Sequence, residues 1–91
     1  MLRDIMAYIA THHPDAAPFI GEDMAWHEAS ATKAPGYSSV TYTAAQWNVT
    51  IAHTMTPESA YEVEARYRSD RIVWQGLVKD GAIIEHKYTS H

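Results

Sequence analysis

The 91-residue sequence contains no cysteine. No disulfide can therefore stabilise the fold, and neither a thiolate metal site nor a thiol nucleophile is available. Glycine and proline are scarce, with four of each, whereas six tyrosines, three tryptophans and one phenylalanine are more aromatics than a disordered chain would carry. The length predicts a single domain over residues 1–91, too short for a TIM barrel or a complete dinucleotide-binding fold.

Positive charge is also in short supply. Seven Lys and Arg residues stand against eleven Asp and Glu residues, which gives a formal net charge of −4. Neither half of the chain has a basic patch. Because nucleic acids and anionic membrane surfaces attract proteins through Lys and Arg, the composition predicts that neither is a partner.

Long hydrophobic runs are missing as well. The apolar segment 1–10 is interrupted by Asp4 and is too short for the central region of a signal peptide. The sequence as given therefore predicts no membrane insertion and a cytoplasmic location. A leader that had been removed would instead place the same chain outside the cytoplasm.

Apolar residues near the N-terminus recur with the spacing of one helical face: Leu2, Ile5, Met6 and Ile9. Pro14 disfavours helical geometry at the residue before it, so the helix is predicted over about residues 2–12. Residues 13–22 are predicted to form a compact linker that leads to the rest of the domain.

From about residue 24 the apolar period changes to two, which is typical of β-strands. The clearest strand is 61–68, in which Tyr, Val, Ala and Tyr alternate with two Glu and two Arg. This alternation predicts one buried face and one solvated face. Residues 47–52 follow the same pattern, and 24–31 and 37–43 are weaker strand candidates.

Residues 71–79 carry apolar side chains on both sides of the strand, which predicts a central position in the sheet. Asp80-Gly81 is the strongest turn signal, because both residues tolerate the positive φ angles of a type I′ turn. It predicts a hairpin to a last strand, 82–88. The predicted fold is therefore α+β: one N-terminal helix packed on an antiparallel five- or six-stranded meander sheet over about residues 24–88.

Six histidines are the most conspicuous candidates for metal ligands: His12, His13, His27, His53, His86 and His91. His12 and His13, followed by Asp15, would lie near the helix end, but adjacent helical side chains point about 100° apart. No ligand spacing such as HExxH is present, so neither a metal site nor a cofactor is predicted. A histidine at a helix C-terminus more simply complements the helix dipole.

Glu62 and Glu64 share one face of a strand, as paired carboxylates for acid–base catalysis would. Nothing in the sequence indicates the burial that such catalysis needs, so a solvated charge ladder with Arg66 and Arg68 is favoured. No nucleophile-elbow, phosphate-loop or dinucleotide motif is present. The interpretation therefore leans towards a protein that is not an enzyme.

Aromatic side chains on strands are a third candidate feature, because Trp and Tyr often dominate contacts with partners, although core packing is their ordinary role. A charged strand face with a tryptophan beside it would suit such a contact. The predicted contact residues are Glu62, Glu64, Arg66, Arg68, Trp47 and Trp74.

The segments 61–65, 72–76 and 80–85 together resemble the strand–strand–Asp-Gly–strand ending of PepSY domains and of short archaeal and bacterial proteins with a Trp-x-Gly strand. The helix-then-sheet order is similar to that of cystatin-like folds. Cystatin-type inhibitors use a Gln-x-Val-x-Gly hairpin, whereas here Asn48 and Thr50 follow Gln46 at the corresponding spacing. The resemblance therefore implies a fold and no inhibitory activity.

These observations together predict a small binding or interaction module that acts through an exposed sheet face or sheet edge. The outer strands of a meander leave main-chain groups unpaired, which invites strand addition by a protein partner or a second copy of the chain. The alternative is a small-molecule or metal-binding protein, or an enzyme, with a pocket around His27 or His53 between helix and sheet.

Overall fold

The computed structural model describes residues 1–54, 60–68 and 71–90. An 11-residue helix, α1 (Leu2–His12), is followed by a short 3₁₀ turn (Ala17–Phe19). The strands are β1 (His27–Ala34), β2 (Tyr37–Ala44), β3 (Trp47–Thr54), β4 (Tyr61–Tyr67), β5 (Arg71–Lys79) and β6 (Ala82–Tyr88). Each strand pairs antiparallel with the next, so the sheet order follows the chain order. The predicted α+β meander is confirmed, with six strands.

Helix α1 occupies the span that its apolar spacing predicts. Ile5, Met6 and Ile9 are buried against the sheet. The chain leaves helical geometry at His13, with φ −130° and ψ 83°, because the following Pro14 excludes helical ψ there. Among the described residues, no helix combines the length and the apolar character that a bilayer crossing needs.

Two hairpins turn on pairs of residues with positive φ. Asp80 and Gly81 have φ of 51° and 78°, the signs that the predicted type I′ turn requires. Ala45 and Gln46, with φ of 45° and 70°, make a turn of the same kind between β2 and β3. Neither alanine nor glutamine favours this conformation, so the sequence carries little sign of this second turn.

The core lies between α1 and one side of the sheet, which we call the helix face. Ile5 and Ile9 meet Val49, Val63 and their neighbours there, and all of these side chains are buried. Burial of an aliphatic side chain of this size contributes about 1.5–3 kcal/mol relative to exposure. Because the chain has no disulfide, this apolar layer is the main source of stability.

The position of β5 corrects the sequence prediction. It lies between β4 and β6, second from an edge, and not at the centre of the sheet. Ala65 pairs with Trp74 and Arg66 with Ile72, so Val73 is an extra residue in a β-bulge. The bulge lets the consecutive residues Val73 and Trp74 both be buried. Apolar residues at odd and even positions of β5 therefore do not require this strand to be at the centre of the sheet.

The two edges of the sheet differ in how they are covered. At one edge, all eight residues of β1 are exposed. This strand begins three residues later than predicted, at His27, and ends at Ala34. At the other edge, side chains of β6 are held by the segment that follows α1, because Tyr88 donates a hydrogen bond to Asp15. Exposed and partly buried residues are mixed along β6, whereas every residue of β1 is exposed, so β1 is the more exposed of the two edge strands.

Candidate binding surfaces

The side of the sheet opposite α1, which we call the open face, carries the charged side chains of β4. Glu62, Glu64 and Arg66 alternate with the buried residues of the same strand and so point away from the core. Arg66 donates from Nε to Glu64 Oε1 over 2.6 Å, and Gln75 Nε2 lies 3.3 Å from Glu64 Oε2. Two of the three charged groups therefore already bind each other.

The open face also contains a shallow groove of about 420 Å³. Glu62, Glu64 and His86 contribute to its lining, together with Thr50 and Gln75. Glu62 is exposed and has no hydrogen bond or ion pair with another described residue. The groove thus brings together two of the residues predicted to contact a partner.

The remaining three predicted contact residues lie elsewhere. Arg68 follows the end of β4 with φ 58°, and its guanidinium carbon lies 5.5 Å from the ring centre of Tyr67. Trp47 and Trp74 are on the helix face and have no exposed surface. Neither indole can therefore adjoin a partner on the open face. Alternation places each of them with apolar neighbours, but it does not tell which face the helix covers.

Sequence reasoning missed a cluster of titratable groups where α1 meets β6. Glu85 Oε1 accepts a hydrogen bond from His13 Nε2 and a second one, 2.7 Å long, from Trp74 Nε1. The His13 ring stacks on Tyr88, with ring centres 3.5 Å apart. His13 and Glu85 are 72 residues apart in the chain, so no local pattern could have linked them.

Electrostatics in this cluster follow from burial and hydrogen bonding. Burial alone would raise the pKa of Glu85, but the bonds from His13 and Trp74 and the nearby histidine charge hold it below the ordinary value. Burial and the hydrogen bond to Asp15 raise the pKa of Tyr88 to about 12. The carboxylate therefore stays ionised and the phenol stays protonated at neutral pH, which keeps both bonds intact.

We expect Glu85→Gln to lower the free energy of unfolding at pH 7 by about 1.5 kcal/mol, since hydrogen bonds to a partly exposed charged group are lost. The difference from the wild-type chain should shrink as the pH falls below 4.5, the ordinary carboxyl value. A depressed native pKa contributes stability above the unfolded value, and acid removes that contribution as the native carboxylate is protonated. Urea denaturation at several pH values measures both effects.

Glu62→Gln is the matched control, because it changes an exposed carboxylate that has no partner among the described residues. It should leave the unfolding free energy within about 0.5 kcal/mol of the wild-type value at every pH. A Glu85→Gln difference that did not depend on pH would contradict the role assigned to the ionised Glu85 carboxylate.

The other histidines do not assemble a metal site in the part of the chain that the structure describes. His12 Nδ1 lies 3.0 Å from the Tyr8 carbonyl oxygen, and its ring stacks on Tyr8. No group of three or more His, Cys, Asp or Glu side chains within residues 1–54, 60–68 and 71–90 converges on a possible cation. His91 lies outside the described residues.

A second groove, of about 520 Å³, lies on the helix face beyond the N-terminal end of α1. Its walls include the aromatic rings of Trp26, Tyr42 and Tyr61, and Arg3 is at its rim. His53 also contributes to the lining and stacks on Tyr61 with ring centres 4.5 Å apart. Of the two histidines named in the alternative prediction, His53 lines this groove and His27 does not.

Comparison with known proteins adds no relative to this description: no family model, no curated protein and no solved structure matches the chain. The resemblance to PepSY-like and cystatin-like modules therefore stays a prediction.

Proposed function

We propose that this protein is a non-enzymatic binding module that pairs its β1 edge with an extended segment of a protein. The observation that carries the proposal is the state of β1. It is one of the two outermost strands, and all eight of its residues are exposed, whereas β6 at the other edge is partly buried. An outermost strand has one row of main-chain N–H and C=O groups without a ladder partner, and strand addition satisfies them.

The open face is a weaker candidate for the binding surface than the β1 edge is. Glu64 already binds Arg66 and Gln75, and Thr41 and Thr50 hydrogen-bond each other across β2 and β3 over 2.9 Å. A partner on this face would have to replace bonds that the molecule makes within itself. A partner at the edge of β1 would instead form main-chain bonds where the isolated chain has only solvent.

A capped peptide with the sequence of residues 27–34 is a direct probe of this edge. If β1 accepts a strand, titration should shift the amide resonances of β1 and its neighbour β2 and leave those of β5 and β6 unchanged. The same peptide with proline in place of alanine at position 31 is the control, since proline removes an N–H and cannot continue a ladder. Equal shifts with both peptides, or shifts elsewhere in the sheet, would contradict the proposal.

Small-molecule binding in the helix-face groove is the second candidate function. Its volume of about 520 Å³ is within the range of about 300–1,000 Å³ that is usual for ligand pockets. Aromatic walls with the Arg3 guanidinium beside them suit a small aromatic anion. We place this candidate second because the groove is only half enclosed by protein, whereas the exposed edge extends along the whole of β1.

A further inference from the structure

The two charged residues of β1 lie on the same side of the sheet because the strand contains a bulge. Glu28 pairs with Tyr42 and Lys33 with Ser38, and these two residues of β2 share one face. Five positions separate Glu28 from Lys33, which in a regular strand would put them on opposite faces. The register shift between Glu28 and Ser30 adds one residue, Ala29, and restores a common face.

The charges are also placed symmetrically about the middle of the strand. Ala31 pairs with Val40, midway between the partners of Glu28 and Lys33. A twofold axis perpendicular to the sheet, midway between two facing Ala31 residues, would bring two copies of β1 together in antiparallel orientation. Each Glu28 would then lie opposite Lys33 of the second copy, on the same face, and Ser30 would lie opposite Thr32.

We propose that the occupant of the β1 edge is a second copy of this chain, in antiparallel β1–β1 pairing centred on Ala31. The proposal rests on the proposed function, because it requires an edge that accepts a strand. Two complementary charge pairs form in this register. Moving the axis by one residue pair places Glu28 or Lys33 opposite Ala31 and loses both pairs, so the charges select a single register.

Lysine on an edge strand ordinarily discourages pairing with other chains, because its charge would be placed against an unrelated strand. Here Lys33 meets a carboxylate only when the incoming strand is another β1 in the stated register. The same side chain therefore opposes foreign strands and favours self-pairing. The dimer would be one continuous sheet that combines the six strands of each copy and carries both helices on the same side.

The absence of cysteine from the sequence makes the register directly testable. Directly opposite residues in antiparallel strands have Cα atoms about 4.5–5.5 Å apart, which is within the range for a disulfide. Ala31→Cys should therefore give a covalent dimer on mild oxidation. Ala34→Cys is the matched control on the same strand, because its two copies would be about 20 Å apart and should stay monomeric.

Light scattering over a range of concentrations tests the charge pairing without oxidation. The wild-type chain should dimerise, and Lys33→Glu should weaken the dimer about tenfold by placing like charges opposite each other. The double variant Glu28→Lys with Lys33→Glu should restore dimerisation, since it exchanges the two charges. Glu62→Lys, on the open face, should leave the dimer unchanged.

A wild-type chain that stays monomeric, equal crosslinking of the two cysteine variants, or a double variant as weak as Lys33→Glu would each overturn the inference. Because the peptide of residues 27–34 reports the same β1–β1 pairing, a capped peptide with the sequence of β2, the strand that pairs antiparallel with β1 in the fold, separates this failure from failure of the proposed function. A monomeric chain whose β1 still binds the peptide keeps a strand-accepting edge and loses only self-association. A monomeric chain that does not bind the peptide would contradict both the self-association and the proposed strand-accepting edge.

Discussion

Gly76→Ala is expected to destabilise the protein by about 3 kcal/mol, at the upper end of what overpacking costs. A Cβ atom at position 76 would lie 2.4 Å from the carbonyl oxygen of Ile84 and 2.4 Å from Cη2 of the Trp74 ring. The oxygen belongs to the backbone of β6 and the ring is completely buried, so neither can move without disturbing the sheet or the core. Chemical denaturation followed by circular dichroism measures the loss.

Gly21→Ala is the control for this substitution. A Cβ there would lie 3.4 Å from the side chain of Met24, an ordinary contact with a flexible group. Its unfolding free energy should stay within about 0.5 kcal/mol of the wild-type value. Equal effects at the two glycines would show that the close approach of β6 and Trp74 to Gly76 does not control stability.

Trp74→Ala is expected to cost about 3–5 kcal/mol, the range for deleting a large buried aromatic side chain. Trp74 has no exposed surface, and its Nε1 donates to Glu85, so the substitution leaves a cavity and weakens the bond network at the end of α1. The denaturation midpoint should fall steeply. The near-ultraviolet circular dichroism of the remaining aromatics should weaken as well, because their packing loosens.

Trp26→Ala distinguishes loss of a core residue from loss of any tryptophan. Trp26 is only partly buried and lines the groove on the helix face. Its removal should cost about 1–2 kcal/mol, since less apolar surface returns to water. A Trp74→Ala variant as stable as Trp26→Ala would contradict the position of Trp74 in the core.

The parts of the fold that could be predicted are those in which side-chain period and burial coincide. Helix α1 has an apolar stripe on one side, and β4 has one buried and one solvated face, so both could be found from spacing. The sequence predicts β1 three residues too early because neither face of the strand is covered. An uncovered edge strand needs no apolar alternation, and its run of Ala, Ser and Thr carries none.

Some features of the candidate sites could likewise be predicted from side-chain spacing, and others depend on tertiary packing. The common face of Glu62, Glu64 and Arg66 follows from the period of two in β4. The burial of Trp47 could not be predicted, since it depends on which face of the sheet the helix covers. The hydrogen bond between His13 and Glu85 could not be predicted either, because it joins residues 72 positions apart in the chain. Bulges such as the one at Val73 also could not be predicted from the alternation. One inserted residue changes which face of the sheet every later side chain of the strand points to.

The meander has a kinetic consequence. Every strand pairs with its neighbour in the chain, and closing a short loop costs little entropy, so the sheet can assemble from local hairpins. The contact of His13 with Glu85 closes a loop of 72 residues and forms only when the first and last elements meet. Docking of α1 is therefore expected to be a late event in folding. Until it occurs, the newly formed sheet exposes its apolar face as well as the β1 edge, and this is the interval in which contacts between chains are least selective.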